Sequence, residues 1–370
     1  MTTLGIDASR ALRARRTGTE RYAYELVVRL SALAHRDGWR VRLYTDQPPP
    51  PALRTAVPHA EWVVMPRPRL WTHTALAPEL RRRPPDLFFE PAHVLPLWHP
   101  PASVVTVHDV GYEYFPDAHT RFQRFYLRLT TRWHVRAARL ILADSHATRN
   151  DLVRLYAAPP TRVRVVYPGV DLAHFAPRPP DAVAAVRARY GIHGRYLLYV
   201  GTLQPRKNLR RVLDAFAQTA PAFPDVQLVL VGAAGWRMDA FADLLTALGD
   251  RVVRTGYVDD AELPALYTGA VALVFPSLFE GFGFPVLEAH ACGTPVIAST
   301  TTSLPEVAGD AALLVNPLET NAIADAMRRL LEDDALRTDL AARGRANAAR
   351  FTWDASAAHV WDALMEAYRG

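Results

Sequence analysis

The sequence predicts an α/β protein built from two doubly wound parallel-sheet domains facing each other across a deep cleft, and three observations carry that prediction. Short apolar runs alternate with amphipathic helical stretches through the second half of the chain, the pattern of βαβ units whose sheet is covered by helices on both faces. The 370 residues exceed the roughly 100–200 of a single typical domain. A proline-rich stretch, FAPRPPDA at 175–182, follows the turn VYPGVD at 166–171 and separates the halves. Open parallel sheets bind ligands beyond the C-terminal ends of their strands, so two of them with those ends opposed would enclose the cleft.

The elements follow in order. TLGI (3–6), RVRLY (40–44), EWVVM (61–65), DLFFE (86–90), SVVTV (103–107) and LILA (140–143) are expected strands, with helices near 19–35, 121–138 and 147–156. The run TDQPPPPALR (45–54) reads as a long surface loop. In the second half YLLYV (196–200), VQLVLV (226–231), VALVF (271–275) and PVIAS (295–299) are continuous apolar runs of the kind buried strands show, with helices at Leu209–Gln218 and Ala261–Tyr267 between them. The closing segment places Trp353, Val360, Trp361, Leu364 and Tyr368 at helical spacing, and that apolar face must pack on something. The expected domains are therefore 1–175 and 190–352, with a hinge near 172–190 and the helix 353–370 returning to the first domain.

Composition narrows the class. Half the residues are hydrophobic and 22% are charged, which excludes a mainly disordered chain. No apolar run approaches the ~20 residues of a membrane span and nothing at the N-terminus reads as a signal peptide, so a cytoplasmic protein is expected. The single cysteine, Cys292, excludes an internal disulfide framework and reads as a small buried hydrophobe. Residues 1–180 hold 26 Arg against 15 acids, whereas residues 181–370 hold 17 Arg plus Lys against 22 acids. Two readings of the basic half stand: an anionic partner such as a membrane, a lipid phosphate or a nucleic acid, or arginine-rich coding that decorates solvated faces. Of the 43 basic residues only Lys207 is a lysine.

Polar residues collect after two expected strands. Behind YLLYV comes GTLQPRKN and a helix. Gly201 lets the backbone approach a ligand, and Arg206 and Lys207 stand by a helix N-terminus that already favours an anion. A diphosphate fits there, since fixed positive charge stabilises a leaving pyrophosphate; the competing reading is a pair of solvated loop charges. Behind VALVF comes PSLFEGFGFPVLEAHACGTPVIAS, in which seven residues separate Glu280 from Glu288. Gly281, Phe282, Gly283 and Phe284 lie between, with a helix expected to begin near Pro285. The glycines allow backbone N–H groups to face phosphate or sugar oxygens, and the two acids can accept hydrogen bonds from hydroxyls. The order is not the dinucleotide fingerprint, so a dehydrogenase is not indicated. His290 reads as structural, and Trp98 and Trp236 as packing residues in preference to sugar platforms.

These motifs resemble the retaining glycosyltransferases of family 4, which adopt the two-domain GT-B fold, and among them bacterial mannosyltransferases most. The likeness extends over nearly the whole chain: GIDASRALRARRTGTERYAYEL, VVTVHDVGYEYFP, ADSHATRNDLV and VVYPGVD precede the two motifs above in family order, and SLPEVAGDAALLVNP and FTWDASAAHVWDAL follow them. The resemblance implies transfer of a hexose, mannose favoured, from a nucleotide-diphosphate sugar to a glycan or lipid-linked hydroxyl with retention. It implies that Arg206 and Lys207 hold the donor diphosphate and that Glu280 contacts donor-sugar hydroxyls. Backbone N–H groups around Phe282–Phe284 meet sugar and phosphate, and Glu288 binds the ribose. His108 reaches the sugar near the reacting carbon, Gly18 admits the diphosphate and acceptor, and Asp109 is the weaker candidate for the acceptor or a cap for the next turn. No metal or other cofactor is implied, because the two cations and the helix end take a metal's place. GDP-mannose is favoured over UDP-sugars.

The segment TRFQRFYLRLTTRWHVRAARL places Arg121, Arg124, Arg128, Arg132, Arg136 and Arg139 within about 120° of one helix face, with no acid from His119 to Ala143. Such a face can rest on the inner, anionic side of the plasma membrane, or be a solvated face packed by its apolar side. Two alternatives to transfer remain at this point: a sugar-nucleotide epimerase on the same fold, and a non-enzymatic module that binds nucleic acid or an anionic surface. The second is disfavoured because it needs no Glu-x7-Glu loop and no nucleic-acid motif is present.

Overall fold

The computed structural model describes residues 1–13, 16–67, 69–92, 94–202, 204–232 and 242–370, with Asp117 by its backbone only. The chain divides into two compact units, Met1–Gly169 with Trp353–Gly370, and Val170–Thr352.

In the first unit the strands are β1 (Thr3–Asp7), β2 (Arg40–Thr45), β3 (Glu61–Val64), β4 (Leu87–Glu90), β5 (Ser103–Val107), β6 (Leu140–Ala143) and β7 (Val163–Val165). Its helices are α1 (Gly18–Arg36), α2 (Pro51–Ala56), α3 (Ala77–Arg82), α4 (Gly111–Tyr114), α5 (Arg121–Ala137) and α6 (His146–Tyr156). The order β3-β2-β1-β4-β5-β6-β7, parallel throughout, reverses direction at β1, the topology of a doubly wound sheet. One side of this sheet is filled by Phe88, Val105, Ile141 and Leu152 among others.

In the second unit the strands are β8 (Arg195–Val200), β9 (Val226–Val231), β10 (Val252–Gly256), β11 (Ala272–Phe275), β12 (Val296–Ser299) and β13 (Ala312–Val315). The helices are α7 (Pro180–Tyr190), α8 (Leu209–Thr219), α9 (Ala242–Leu248), α10 (Leu263–Gly269), α11 (Phe284–Ala291), α12 (Leu304–Ala308), α13 (Thr320–Glu332) and α14 (Asp334–Ala348). The parallel order β10-β9-β8-β11-β12-β13 repeats the same plan with one strand fewer among the described residues. Leu213 and Phe216 of α8 and Met327 and Leu330 of α13 pack on Leu228 and Val274. The last helix, α15 (Trp353–Arg369), belongs to the first unit. Trp361 donates to Asp37 Oδ2 over 2.9 Å, Arg29 pairs with Asp354 over 2.6 Å, and Trp39 meets the rings of Trp361 and Tyr368 edge-on.

Two proline-rich stretches differ from expectation. Within 45–54, read as a loop, the chain enters α2 at Pro51. The stretch 175–182, read as a linker, is anchored: Phe175 is buried, the Arg178 amide donates to Thr268 over 3.1 Å, and Pro179 and Pro180 start α7. In both places proline occupies the first helical turn, where its missing N–H costs nothing and its fixed φ suits the helix. The division between units falls at Gly169/Val170, ahead of that stretch. Trp98, read as a packing residue, is 36% exposed. Trp236 lies outside the described residues.

Candidate functional site

In the second unit, the C-terminal ends of β8 and β11 bring the predicted donor residues together. The chain leaves β8 through Gly201, at φ +149, and makes a single 3-10 turn over Pro205–Lys207. Asn208, in the left-handed region at φ +61, then opens α8. That turn aims both cations at one carboxylate: Lys207 Nζ is 2.6 Å from Glu280 Oε1, and Arg206 Nη1 is 3.3 Å from Oε2. Arg206 also donates to the Phe279 carbonyl over 3.2 Å. Lys207 is 9% exposed and Glu280 6%. Burial works against a charged Glu280, yet Lys207 and Arg206 hold its carboxyl below the ordinary glutamate value. Two cations facing one carboxylate leave a net positive charge at the strand end.

The segment after Glu280 is held from behind. The Glu280 amide donates to Thr302 Oγ1 over 3.1 Å, and Ser303 Oγ lies 3.0 Å and 2.7 Å from the carbonyls of Glu280 and Phe282. Phe282 is buried, edge-on to Phe284 and Phe351. Gly281 is buried too, and Gly283 caps α11 at φ +114 with Leu304 Cδ2 only 2.6 Å from where a Cβ would stand. Gly283→Ala is therefore expected to destabilise the protein by about 1–3 kcal/mol, from the forbidden backbone region and the crowded, fully buried Leu304; a urea melt measures it. Glu288, on α11 and 9% exposed, accepts from Tyr267 Oη over 2.9 Å. Of the other two readings here, Cys292 is buried, its thiol pushed up to about 12 by burial. His290 is fully buried, its pKa lowered to about 4 by burial, with Nε2 on the Ala311 carbonyl and Nδ1 facing Asn347.

Sequence reasoning missed several residues that shape this site. Asn208 donates to the carbonyls of Pro276 and Pro317 over 2.9 and 2.7 Å, tying the chain beyond β11 and β13 to the start of α8. An asparagine directly after the two cations and before a helix was the available signal, since asparagine tolerates the left-handed region. Thr302, itself at φ +56, and Ser303 sit in a hydroxyl-rich run, STTTS, that periodicity passes over.

In the first unit, the C-terminal ends of β5 and β6 make a second cluster. His108 Nδ1 lies 2.6 Å from Asp144 Oδ2, and Nε2 lies 3.0 Å from the Pro91 carbonyl. Both partners offer oxygen acceptors, an arrangement that favours the doubly protonated ring. Burial opposes that charge, but the Asp144 carboxylate, with Asp109 nearby, raises the His108 pKa above its ordinary value. Tyr22 meets the His108 ring edge-on at 4.9 Å, and its hydroxyl is 3.1 Å from Thr106. Asp144 is 3% exposed, and its Oδ1 has no partner among the described residues. Asp109 Oδ1 accepts from the Gly111 amide over 2.8 Å, capping the following turn. Gly18 is the first residue of α1, behind a Thr17–Glu20 capping box. Asp144 is another residue missed from sequence; a lone acid after an apolar strand, within ADSHATRNDLV, was the signal for it.

Comparison with known proteins bears on what these clusters serve. Residues 16–174 match the family described as Glycosyltransferase Family 4, and residues 187–347 match Glycosyl transferases group 1. The O-antigen chain mannosyltransferase B of Escherichia coli is 36% identical over 260 residues, 68% of this chain and 67% of that one. The chain belongs to the family 4 glycosyltransferases. This glycosyltransferase is also 36% identical to a D-inositol 3-phosphate glycosyltransferase of Salinispora arenicola over 244 residues, 61% of this chain and 54% of that one, so it spans about half the length of that relative. Among solved structures, a sucrose-phosphate synthase of Thermosynechococcus elongatus superposes with a TM-score of 0.77 at 25% identity, covering 99% of each chain. The fold is GT-B, with two Rossmann-like domains. Membership in the family answers the choice left open above: the activity is glycosyl transfer.

Proposed function

We propose that this glycosyltransferase moves a mannosyl residue from GDP-mannose to a hydroxyl of a glycan or lipid-linked acceptor, with retained anomeric configuration and without a metal ion. The identity to an O-antigen chain mannosyltransferase over two thirds of both chains supports the sugar and the acceptor class. The observation that carries the reading is the Lys207–Glu280–Arg206 cluster at the ends of β8 and β11. Arg206 and Lys207 hold the donor diphosphate and stabilise the charge that develops on it as the glycosidic bond breaks. Glu280 fixes both cations and meets donor-sugar hydroxyls. Gly201, Gly281 and Gly283 keep the backbone bare, so that the amides of Phe282, Gly283 and Phe284 reach sugar and phosphate. Glu288 takes the ribose hydroxyls. His108, with both ring N–H groups committed to Asp144 and Pro91, does not act as a base; it presents a fixed positive ring to the sugar. Gly18 opens the loop to diphosphate and acceptor, and Asp109 acts by shaping the turn after His108.

Thermal-shift and calorimetric titration in EDTA, with GDP-mannose, UDP-glucose and UDP-N-acetylglucosamine, tests this. GDP-mannose is expected to stabilise the fold by about 2.7 kcal/mol at a hundredfold excess over Kd. Glu288→Gln is expected to weaken donor binding by about 10- to 100-fold, the worth of a hydrogen bond to a charged group. Stabilisation by UDP-sugars alone would replace the donor in this reading, and a response that appears only with added divalent cation would end its metal-free part.

A further inference from the structure

The helix α4 is a single turn, Gly111–Tyr114, and a turn that short does not hold itself. It begins two residues beyond Asp109, whose carboxylate caps it through the Gly111 amide, and His108 stands directly before Asp109. Three consecutive side chains fasten it to its neighbours. Tyr112 Oη lies 2.8 Å from Thr131 Oγ1 of α5 and 2.8 Å from Tyr156 Oη of α6. Tyr114 Oη contacts Asp151 and Arg154 of α6. Between the two tyrosines, Glu113 reaches both helices. Arg128 Nε of α5 is 2.8 and 2.9 Å from its two oxygens, Arg128 Nη2 adds a second contact to Oε2, and Tyr156 Oη stands 2.6 Å from Oε1.

The protons of this network run one way. Burial works against a charged Glu113, yet Arg128 and Tyr156 hold its carboxyl below the ordinary glutamate value, and an ionised carboxylate only accepts. Tyr156 therefore gives its one proton to Glu113, Tyr112 gives its own to Tyr156, and Thr131 donates to Tyr112. The run ends on the one charged residue of α4, with the Arg128 guanidinium opposite it. The Glu113 side chain is only 13% exposed, so these donors take the place of water around it. On the other side of the corner, Thr148 of α6 donates to the His108 carbonyl over 3.2 Å.

We infer that Glu113 is a positioning residue for glycosyl transfer: by fastening α4 to Arg128 of α5 and Tyr156 of α6, it fixes the corner that carries His108 and Asp109. The inference rests on the role proposed above for His108.

Glu113→Gln in the full chain tests it, because glutamine keeps the shape and loses the charge. Turnover of GDP-mannose with water as acceptor, to GDP and mannose, is expected to fall about 10- to 100-fold, with the KM for GDP-mannose unchanged. Arg128→Gln is expected to behave alike, and the double variant to fall no further than either single one, since both remove the same pair. Two readouts need no donor. Asp144 beyond β6, Asp109 and Tyr22 of α1 are the titratable groups described around His108. Loosening α4 takes Asp109 away, so the midpoint of the His108 ring protons by NMR is expected to fall. The Gly111 amide is expected to exchange about tenfold faster. Tyr156→Phe keeps the ion pair and turns the Tyr112 proton to Thr131; it is expected to move each readout the same way by less, and it serves should Glu113→Gln unfold. Full turnover in Glu113→Gln overturns the inference, as does lost turnover with the His108 midpoint and Gly111 exchange both unmoved. Turnover in His108→Ala equal to the parent's would instead end the role proposed for the histidine, and the midpoint and exchange in Glu113→Gln would still decide the clamp.

Discussion

Lys207→Ala is expected to lower folding stability by about 3 kcal/mol and glycosyl transfer by at least about 100-fold. Removing the ammonium leaves Glu280 buried with Arg206, at 3.3 Å, as its remaining ion-pair partner among the described residues. The cost is the uncompensated carboxylate more than the lost contact, so replacing both members by apolar groups should recover it. Lys207→Met combined with Glu280→Leu is accordingly expected to melt near the parent protein in urea and still transfer no sugar. Recovery of activity along with stability would show that the cluster is scaffold and not donor site. The pair also sets the acid limit. Glu280 has a folded pKa below its unfolded value, so its contribution is present above the ordinary glutamate range and is lost as pH falls through the lowered value. In Lys207→Ala one of the two cations holding that pKa down is gone, and the acid transition should begin at a higher pH.

The second large effect is expected at Asp144. In the parent protein His108 titrates above its ordinary value, so the stability from its imidazolium is full below about pH 6.5 and is lost as pH rises through the raised pKa. Asp144→Asn takes away the carboxylate while burial remains, and the His108 pKa should then drop below 6.5. Following the His108 ring protons by NMR across pH decides this. A midpoint that does not move between parent and variant would remove Asp144 from its positioning role. Transfer in the variant is expected to fall while donor affinity holds, because the cations proposed to hold the diphosphate belong to the other unit. A merely structural aspartate would lower stability without moving the histidine midpoint.

Much of the fold was legible in the chain, and the omissions share a cause. Most interior strands, β1, β4, β5, β6, β8, β9, β11 and β12, are largely apolar because both their faces are covered, whereas interior β2 carries Arg40 and Arg42. The strands that went unread, β7, β10 and β13, are all at sheet edges. Val163–Val165 has three residues, and Val252–Gly256 is only partly buried, so neither needs the apolar run that announces a strand. Both proline-rich misreadings have the opposite cause. In sequence Pro51 and Pro180 read as breakers, whereas proline in a first turn starts a helix as readily as it ends one.

The sequence by itself determined the two doubly wound sheets, the family and the candidate donor residues, because strand patterns, glycine loops and the Glu-x7-Glu spacing are local. It could not determine what those residues touch. Lys207 meets Glu280 across 73 positions and His108 meets Asp144 across 36, and those contacts exist only once parallel strands fall into register and their ends line up. The same register decides charge: the His108 pKa is raised because a carboxylate and a carbonyl end at its two nitrogens. On α5, periodicity predicted a basic helix, but whether an aromatic at a given turn is packed or bare depends on which loop covers it. Trp133 found the 95–99 loop, and Phe122 and Phe125 did not.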